Sequence, residues 1–286
     1  AETILKKITK KTKAIMVVSL QGLPVDIDPI MKIARVRNIT VIEDNAQDML
    51  GRYKGKISGT NGHISVWSFE NKKHLSGATE GGIITTNSKI LAERIRKFAG
   101  IGYKNMTASG GRTSLSISMV QDPDYERFDT VGLNYRMPQI VAAVCYAQLK
   151  NVKKIVQRRI KVASYFSQAI KKSKILIEQK KPKNIKHTHY TFSARLIDNK
   201  RIKWKELYKI YKSKTGHGFY GACVCPHLEP SIKRHMKKIG YKKKIFLPVA
   251  EKIQKQIMQF KTNYRNLYEA KKNANILKKI IEKIEN

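Results

Sequence analysis

The sequence predicts an α/β protein: residues 1–150 form a large domain with a parallel-rich sheet flanked by helices, and residues 151–286 form a smaller α/β domain. Three observations lead to this prediction. Two apolar runs separated by an amphipathic stretch form a βαβ pattern near the start. A total of 286 residues, 41% of them apolar, is enough for one large core and one smaller core. A long helical pattern at residues 137–170 leads from the first part into the second, which is more basic.

The βαβ pattern occupies residues 14–43. The run AIMVVSL at 14–20 is continuously apolar, which is typical of a strand buried on both faces. Residues 26–37 have apolar side chains at three- and four-residue steps, as an amphipathic helix does, and 40–43 is a short strand. We expect a right-handed crossover and a parallel sheet, with ligands at the carboxyl ends of the strands, where Asp44 falls.

The rest of the first part continues this alternation of strands and helices. Strands are predicted at 64–69 and 82–86, followed by a helix at 89–98 that Ser88 caps. The Gly-, Ser- and Thr-rich stretch at 100–125 has no convincing period and is predicted to be a long functional loop.

The second part mixes one clear strand with several helices. Residues 188–196 alternate as a strand should, and 204–211 form a short helix. Two further helices, at 253–260 and 264–284, are predicted to close the chain.

The net charge is strongly positive. Lysine and arginine number 58 against 21 acidic residues, which gives +37, so nucleic acid or another polyanion has to be considered as a partner. The excess is spread along the chain, however, and no aromatic–basic alternation marks a platform for single strands. We favour a compositional origin of the charge and keep nucleic-acid binding as the alternative.

The compartment is predicted from the termini and the cysteines. No apolar run reaches the roughly 18 residues that span a bilayer, and the first residues lack the hydrophobic core of a signal peptide. Cys145, Cys223 and Cys225 form neither a disulfide framework nor a zinc quartet, and the histidines lack metal-ligand spacing. We therefore expect a cytoplasmic protein with reduced thiols, no metal site and no membrane association.

The first candidate site is the sequence Glu-Asp-Asn-Ala-Gln at 43–47. A carboxylate at a strand end, here Asp44, with the side-chain amide of Gln47 three residues later, can serve a heteroaromatic cofactor. The structural alternative is that Asp44 caps a helix that follows the strand. These residues alone favour the structural alternative.

The second candidate site lies between Ser68 and Gly82. A Schiff-base lysine needs a neutral amine, which a neighbouring cation favours, and Lys73 follows Lys72 directly. Ser68 could donate its hydroxyl to a phosphate, and Glu80-Gly81-Gly82 lets the backbone approach a ligand closely. The structural alternatives are a solvated lysine pair, a strand serine and a hairpin turn.

A third candidate site precedes the long helix. Asn134 and Arg136 could reach an anion at the helix N-terminus, or Asn134 could simply cap that helix.

The order and spacing of these segments resemble the DegT-type family of PLP-dependent nucleotide-sugar aminotransferases. The resemblance covers about residues 8–160 and continues more weakly to the C-terminus. The segments that carry it are ITKKTKAIMVV, VIEDNAQD, YKGKISGTNGHISVWSFENKKHLSGATEGGIITTN and VGLNYRMPQIVAAVCYAQL.

The resemblance implies PLP fold type I, pyridoxal 5'-phosphate as cofactor, and a homodimer with active sites at the subunit interface. It implies Lys73 as the Schiff-base lysine, Asp44 as partner of the pyridinium nitrogen, and Gln47 against the ring or its hydroxyl. Ser68 would bind the cofactor phosphate, and Asn134 would reach the phosphate of the cofactor in the partner subunit. The implied reaction is a ping-pong transamination, in which glutamate gives its amine to the cofactor and a nucleotide-linked keto-sugar receives it.

The sequence also departs from the family pattern. Family members usually have a further N-terminal part, with a small-residue phosphate turn and an aromatic residue that stacks on the ring, so we expect an N-terminally incomplete large domain. Lys72 stands where a small hydroxyl residue is common. In one branch, histidine replaces the lysine and the enzyme is a sugar dehydratase; Lys73 at that position, with His74 next, favours aminotransfer. An inactive, truncated family remnant and a basic nucleic-acid-binding protein are the alternatives.

Overall fold

The computed structural model describes residues 1–110, 115–242 and 245–286. The chain divides into two compact units. The first consists of Ala1–Lys153 with Asn184–Lys186, and the second of Lys154–Lys183 with His187–Asn286. The residues predicted to carry chemistry all belong to the first unit.

The first unit begins with the predicted βαβ arrangement. The elements are α1 (Glu2–Leu5), β1 (Ala14–Val18), α2 (Asp28–Arg37) and β2 (Thr40–Asp44). Strands β1 and β2 pair in parallel, with Val18 opposite Asp44. Helix α2 ends where Asn38 adopts a left-handed conformation (φ 50°), which an asparagine tolerates better than most residues.

The main sheet of this unit has four strands. After the short strands β3 (Arg52–Tyr53) and β4 (Lys56–Ile57) come β5 (Ile64–Ser68) and β6 (Gly82–Thr85). The strand order is β1-β2-β5-β6, where β5 runs parallel to β2 and β6 runs antiparallel to β5. The prediction of a parallel-rich α/β sheet is confirmed.

The core of this unit lies on one face of the sheet. Ile15 and Val17 of β1 and Val41 of β2 are buried there against α2. On the opposite face, Met16 is 61% exposed and Val18 is 45% exposed. The prediction that β1 is buried on both faces is therefore wrong, because an apolar run does not itself specify that both faces are covered.

The helices that follow differ in part from the prediction. Ser88 caps α3 (Lys89–Ala99), as predicted, since its Oγ accepts a hydrogen bond from the amide of Leu91 at 3.3 Å. The stretch predicted as a loop at 100–125 contains α4 (Ile117–Gln121), and residues 111–114 of it lie outside the described part of the chain.

The single long helix predicted at 137–170 consists of two helices, α5 (Gln139–Leu149) and α6 (Val152–Ile170). The break is a tight turn in which the amide of Asn151 donates to the carbonyl of Gln148 at 2.9 Å. Asparagine has a low helix propensity, and the apolar period alone does not register a turn this short.

The second unit contains a three-stranded antiparallel sheet with the order β10-β9-β7. Its elements after α6 are β7 (Leu176–Glu178), β9 (Thr191–Leu196), α7 (Trp204–Thr215), α8 (Pro230–Lys238), α9 (Pro248–Gln254), β10 (Ile257–Lys261) and α10 (Leu267–Glu285). Between β7 and β9 the chain returns to the first unit, where β8 (Ile185–Lys186) pairs with β3.

The prediction of a helix at 253–260 is wrong. Helix α9 ends at Gln254, and β10 pairs antiparallel with β9. In β10, Met258 and Phe260 are buried while their neighbours are only partly covered, which is the two-residue period of a strand. The five-residue strand is too short for its period to stand out beside the preceding helix.

No helix in the described residues is long and apolar enough to span a membrane.

Candidate functional site

Three of the predicted site residues are grouped by the ends of β2 and β5. Asp44 is the last residue of β2 and lies opposite Val66, while Ser68 ends β5 two residues further on. Lys73 follows Ser68 after a short turn. Since β2 and β5 are parallel neighbours, their carboxyl ends meet at one edge of the sheet, and this edge is where α/β sheets bind ligands.

The strand ends at this edge are tied together by turns. Asp44 Oδ1 accepts a hydrogen bond from the amide of Ala46 at 2.9 Å, so its carboxylate closes a turn and does not cap a helix. The amide of Asn45 donates to the carbonyl of Val66 at 2.9 Å and extends the β2–β5 pairing by one residue. Asp44 is half-buried on the same face of the sheet as Val18.

Gln47 links the end of β2 to the end of β1. Its Oε1 accepts a hydrogen bond from the backbone amide of Gln21 at 2.7 Å. Gln21 lies in the turn after β1 with a φ of 61°, an uncommon conformation for a residue other than glycine. The side chain of Gln47 therefore fixes the loop after β1 at the same edge of the sheet that carries Asp44.

Beneath Asp44, a buried carboxylate organises the glycine-rich connection from β4 to β5. Glu43 is 4% exposed, and its oxygens accept hydrogen bonds from the backbone amides of Gly59 at 2.9 Å, Asn61 at 2.8 Å and Gly62 at 2.5 Å. Gly59 has a φ of 86°, and a Cβ there would lie 2.4 Å from the ring of Trp67. Sequence reasoning missed this role of Glu43, although alternation along β2 places it on the face opposite Asp44.

The lysine lies in a closed loop between β5 and β6. The amide of Phe69 donates to the carbonyl of Gly81 at 2.7 Å, and the amide of Gly77 donates to the carbonyl of Phe69 at 2.8 Å. Within the loop, Ser68 Oγ accepts from the amide of Glu70 at 3.3 Å, and the amide of Lys73 donates to the carbonyl of Glu70 at 3.0 Å.

Three consecutive residues of this loop differ in exposure. Lys72 is exposed, Lys73 is half-buried, and His74 is only 4% exposed. The histidine side chain thus points into the interior of the unit, while the side chain of Lys73 keeps access to solvent.

Helix α5 holds the loop from the side. Gln148 Oε1 accepts from the amide of Ser76 at 3.2 Å, and its Nε2 donates to the carbonyl of Ser76 at 2.7 Å. One and two turns earlier on α5, Cys145 and Val141 pack against Gly77, where a Cβ would lie 2.5 Å from Val141 Cγ1. The helical period placed Gln148 on a helix, but no sequence signal revealed its contact with a loop 72 residues earlier.

Asn134 lies on a different segment. It is exposed, and its Oδ1 accepts hydrogen bonds from the amide of Arg136 at 3.4 Å and from Arg136 Nε at 2.9 Å. Its backbone forms a bridge with Gly100, next to the end of α3. Within the described residues, these contacts of Asn134 hold its own segment together and do not join it to the strand edge with Asp44.

The fold defines the class, an α/β protein built like the PLP-dependent enzymes of fold type I. An aminotransferase from Psychrobacter cryohalolentis has a similar structure, with a TM-score of 0.80 and 25% identity, over 100% of this chain and 72% of that chain. The E. coli GDP-4-keto-6-deoxy-D-mannose-3-dehydratase with bound hydrated PLP has the same fold, with a TM-score of 0.76 and 22% identity over 98% of this chain and 70% of that chain. The predicted fold class is confirmed.

The chain belongs to the DegT/DnrJ/EryC1/StrS aminotransferase family, whose sequence model matches residues 1–272. Among curated relatives, GDP-perosamine synthase of Escherichia coli O157:H7 is 36% identical over 188 residues, which cover 66% of this chain and 46% of the relative. The chain spans about half the length of the curated relatives it matches. The family resemblance predicted from the motifs is confirmed.

Proposed function

We propose that this chain forms part of a PLP-dependent sugar aminotransferase that transfers an amino group from glutamate to a nucleotide-linked keto-sugar. The observation that carries the proposal is that Asp44 and Ser68 end two adjacent parallel strands, with Lys73 in the loop after the second, so that all three lie toward one edge of the sheet. Family membership supports the reaction class, and the similarity to GDP-perosamine synthase supports a nucleotide-linked sugar as substrate.

The residues present fit pyridoxal 5'-phosphate. Asp44 offers a half-buried carboxylate, Ser68 a hydroxyl and Lys73 an amine, which match the cofactor's ring nitrogen, phosphate and aldehyde. Val18, on the same face of the sheet as Asp44, is 45% exposed and offers apolar surface to a flat ring. When bound, the cofactor supplies an electron sink that stabilises negative charge on the substrate carbon.

Each residue has a separate task in this proposal. Lys73 Nζ would hold the cofactor, and its amine would take a proton from the substrate carbon and return it. The Asp44 carboxylate would accept a hydrogen bond from the ring nitrogen and favour its protonated form. Ser68 donates its hydroxyl to the phosphate, and Gln47, already bonded to the loop after β1, lies against the ring or its hydroxyl.

The exposure of the lysine loop supports aminotransfer over dehydration. A histidine base would have to reach the substrate, and His74 is 4% exposed with its side chain in the interior. Lys73, one position earlier, is half-buried and accessible.

The setting proposed for the enzyme is a homodimer in the cytoplasm, with Asn134 reaching the cofactor phosphate of the partner subunit. Asn134 is exposed and is oriented by Arg136. Cys145, Cys223 and Cys225 are free thiols, which supports a reducing compartment.

The lysine is tested by substitution with a neighbouring control. We expect the purified chain to develop the visible absorption of lysine-bound cofactor when PLP is added, and to retain it through dialysis. Lys73→Ala should abolish the band, because the amine that forms the covalent link is gone, while Lys72→Ala should keep it. A parent chain that retains no cofactor would favour the inactive remnant, and a band that persists in Lys73→Ala would contradict the assignment.

A further inference from the structure

We propose that Gln148 is a positioning residue for Lys73, because its carboxamide fixes both backbone groups of Ser76 to helix α5 and so holds the loop that carries the lysine. The inference rests on the proposed role of Lys73. It adds a residue from helix α5, 72 residues after Ser76 in the chain, that acts through the backbone of the loop.

The geometry of the contact favours a clamp. Gln148 accepts from Ser76 N at 3.2 Å and donates to Ser76 O at 2.7 Å, so one planar amide engages the amide and carbonyl of one residue. Two bonds from one rigid group define the orientation of the backbone and not only its distance. The donor and acceptor of a carboxamide are both required, which aspartate, leucine or alanine cannot supply.

The clamp acts three residues beyond Lys73. The loop is closed at its base by the two hydrogen bonds that Phe69 makes with Gly77 and Gly81. Between base and clamp, Leu75 is 2% exposed, so the backbone on the C-terminal side of Lys73 is anchored by burial as well. The amine of a lysine reaches a defined point only if the backbone that carries it is fixed. Because the side chain is long, a small rotation of the backbone displaces the amine much more than it displaces the Cα.

One face of helix α5, the face that bears Gln148, packs against this loop. Val141, Cys145 and Gln148 lie at steps of four and three residues, which puts them on one face of α5. Gly77 packs against the first two with no room for a Cβ, and Ser76 meets the third. The close approach at Gly77 brings the backbone of Ser76 within hydrogen-bond reach of the helix.

The experiment compares Gln148→Ala with Gln139→Ala, an exposed glutamine on the same helix. Hydrogen exchange on the chain without cofactor should show faster exchange at Ser76 and Gly77 in Gln148→Ala only. The rate at which an amine reagent labels Lys73, measured against Lys72 by mass spectrometry, should rise about ten- to thirtyfold, because two hydrogen bonds no longer restrain the loop. The dissociation constant of PLP should rise about ten- to thirtyfold for the same reason.

Gln148→Glu is the second variant, and it is the informative one if Gln148→Ala does not fold. It keeps an acceptor for the amide of Ser76 but replaces the donor with a carboxylate oxygen that faces the carbonyl of Ser76, so two acceptors oppose each other and labelling and affinity should change at least as much as in the alanine variant. A purely structural role would lower thermal stability and leave the relative labelling of Lys73 and its pH profile unchanged, which would overturn the inference. If the parent binds no PLP, the proposed function fails while exchange and labelling still decide the role of Gln148.

Discussion

Glu43 and Asp44, adjacent at the end of β2, lie on opposite faces of the sheet and have different roles. Asp44 is half-buried on the face that stays accessible, and Glu43 is buried on the other face, where three backbone amides surround its carboxylate. A buried carboxylate without such partners would be strongly destabilising, so the glycine-rich connection and Glu43 depend on each other. Glu43 thereby fixes the end of the strand from which Asp44 projects.

We expect Glu43→Gln to lower the free energy of unfolding by about 2 kcal/mol. Glutamine keeps one acceptor oxygen but places an amide donor against the N–H of Gly59 or of Asn61 and Gly62, where two donors face each other. Urea unfolding followed by fluorescence measures the change.

Glu70→Gln is the control for that substitution. The Glu70 carboxylate accepts a backbone hydrogen bond from Lys72 at an exposed turn, so its change should stay within a few tenths of a kcal/mol. Equal losses in the two variants would contradict the argument that the three-amide cradle is what makes Glu43 important.

At the scale of elements, the parallel strands were predictable and the transitions were not. The apolar runs at β1 and β2 and the Ser88 cap are local patterns, so they could be read directly. The strand β10 depends on its partner β9, which is distant in sequence, and the break between α5 and α6 is a local turn too short to interrupt the apolar period. The same holds for the site. Asp44 and Ser68 stand at the ends of strands that the sequence pattern reveals, whereas Gln148 contacts a loop 72 residues earlier, which no local pattern indicates.

The entry to β9 contains a half-buried histidine, His189, that makes the second unit sensitive to acid. Desolvation by burial, and then the positive charges of His187 and Lys181, lower the pKa of His189 from 6.5 to about 3. The rings of His187 and His189 stack with centroids 3.7 Å apart. His189 has a φ of 51°, which is not a strand conformation, and β9 begins two residues later at Thr191.

The sign of the pH effect follows from this depressed pKa. Between pH 6.5 and about 3 the unfolded chain binds a proton on His189 that the folded chain does not, so folding stability falls as the pH is lowered through this window. We expect the urea midpoint of the second unit to decrease between pH 7.5 and pH values near 5.

His189→Asn should reduce that decrease. Asparagine tolerates the left-handed conformation and does not titrate, so the variant removes the proton and keeps the backbone. Its urea midpoints at the two pH values are the measurement, and a parent whose midpoint does not change with pH would contradict the proposal that His189 is neutral in the folded state. The carboxyls of Asp198 and Glu251, whose pKa values are lowered mainly by hydrogen bonds, lose their stabilising contribution only at lower pH.

At the scale of the whole molecule, the charge of +37 and the cofactor site raise separate questions. Lysines are spread over both units, with a basic run on α8 among the densest. Binding to nucleic acid would be steeply salt-dependent and indifferent to PLP, so the two properties can be measured independently. The sequence could indicate the charge but not a partner, since charge alone selects no specific surface.

The proposed homodimer makes a sharper prediction through Asn134. If Asn134 completes the site of the partner subunit, Lys73→Ala and Asn134→Ala damage two parts of one composite site that come from different chains. A dimer with one chain of each kind then has one site with both residues intact and one site with neither.

Mixing the two inactive variants at equal amounts, under conditions that exchange subunits, should restore about a quarter of the parent's aminotransferase activity. The control is the double variant mixed with either single variant, which regenerates no intact site if Asn134 acts across the interface. Absence of recovery in a mixture that mass spectrometry shows to contain mixed dimers would place Asn134 in the site of its own chain.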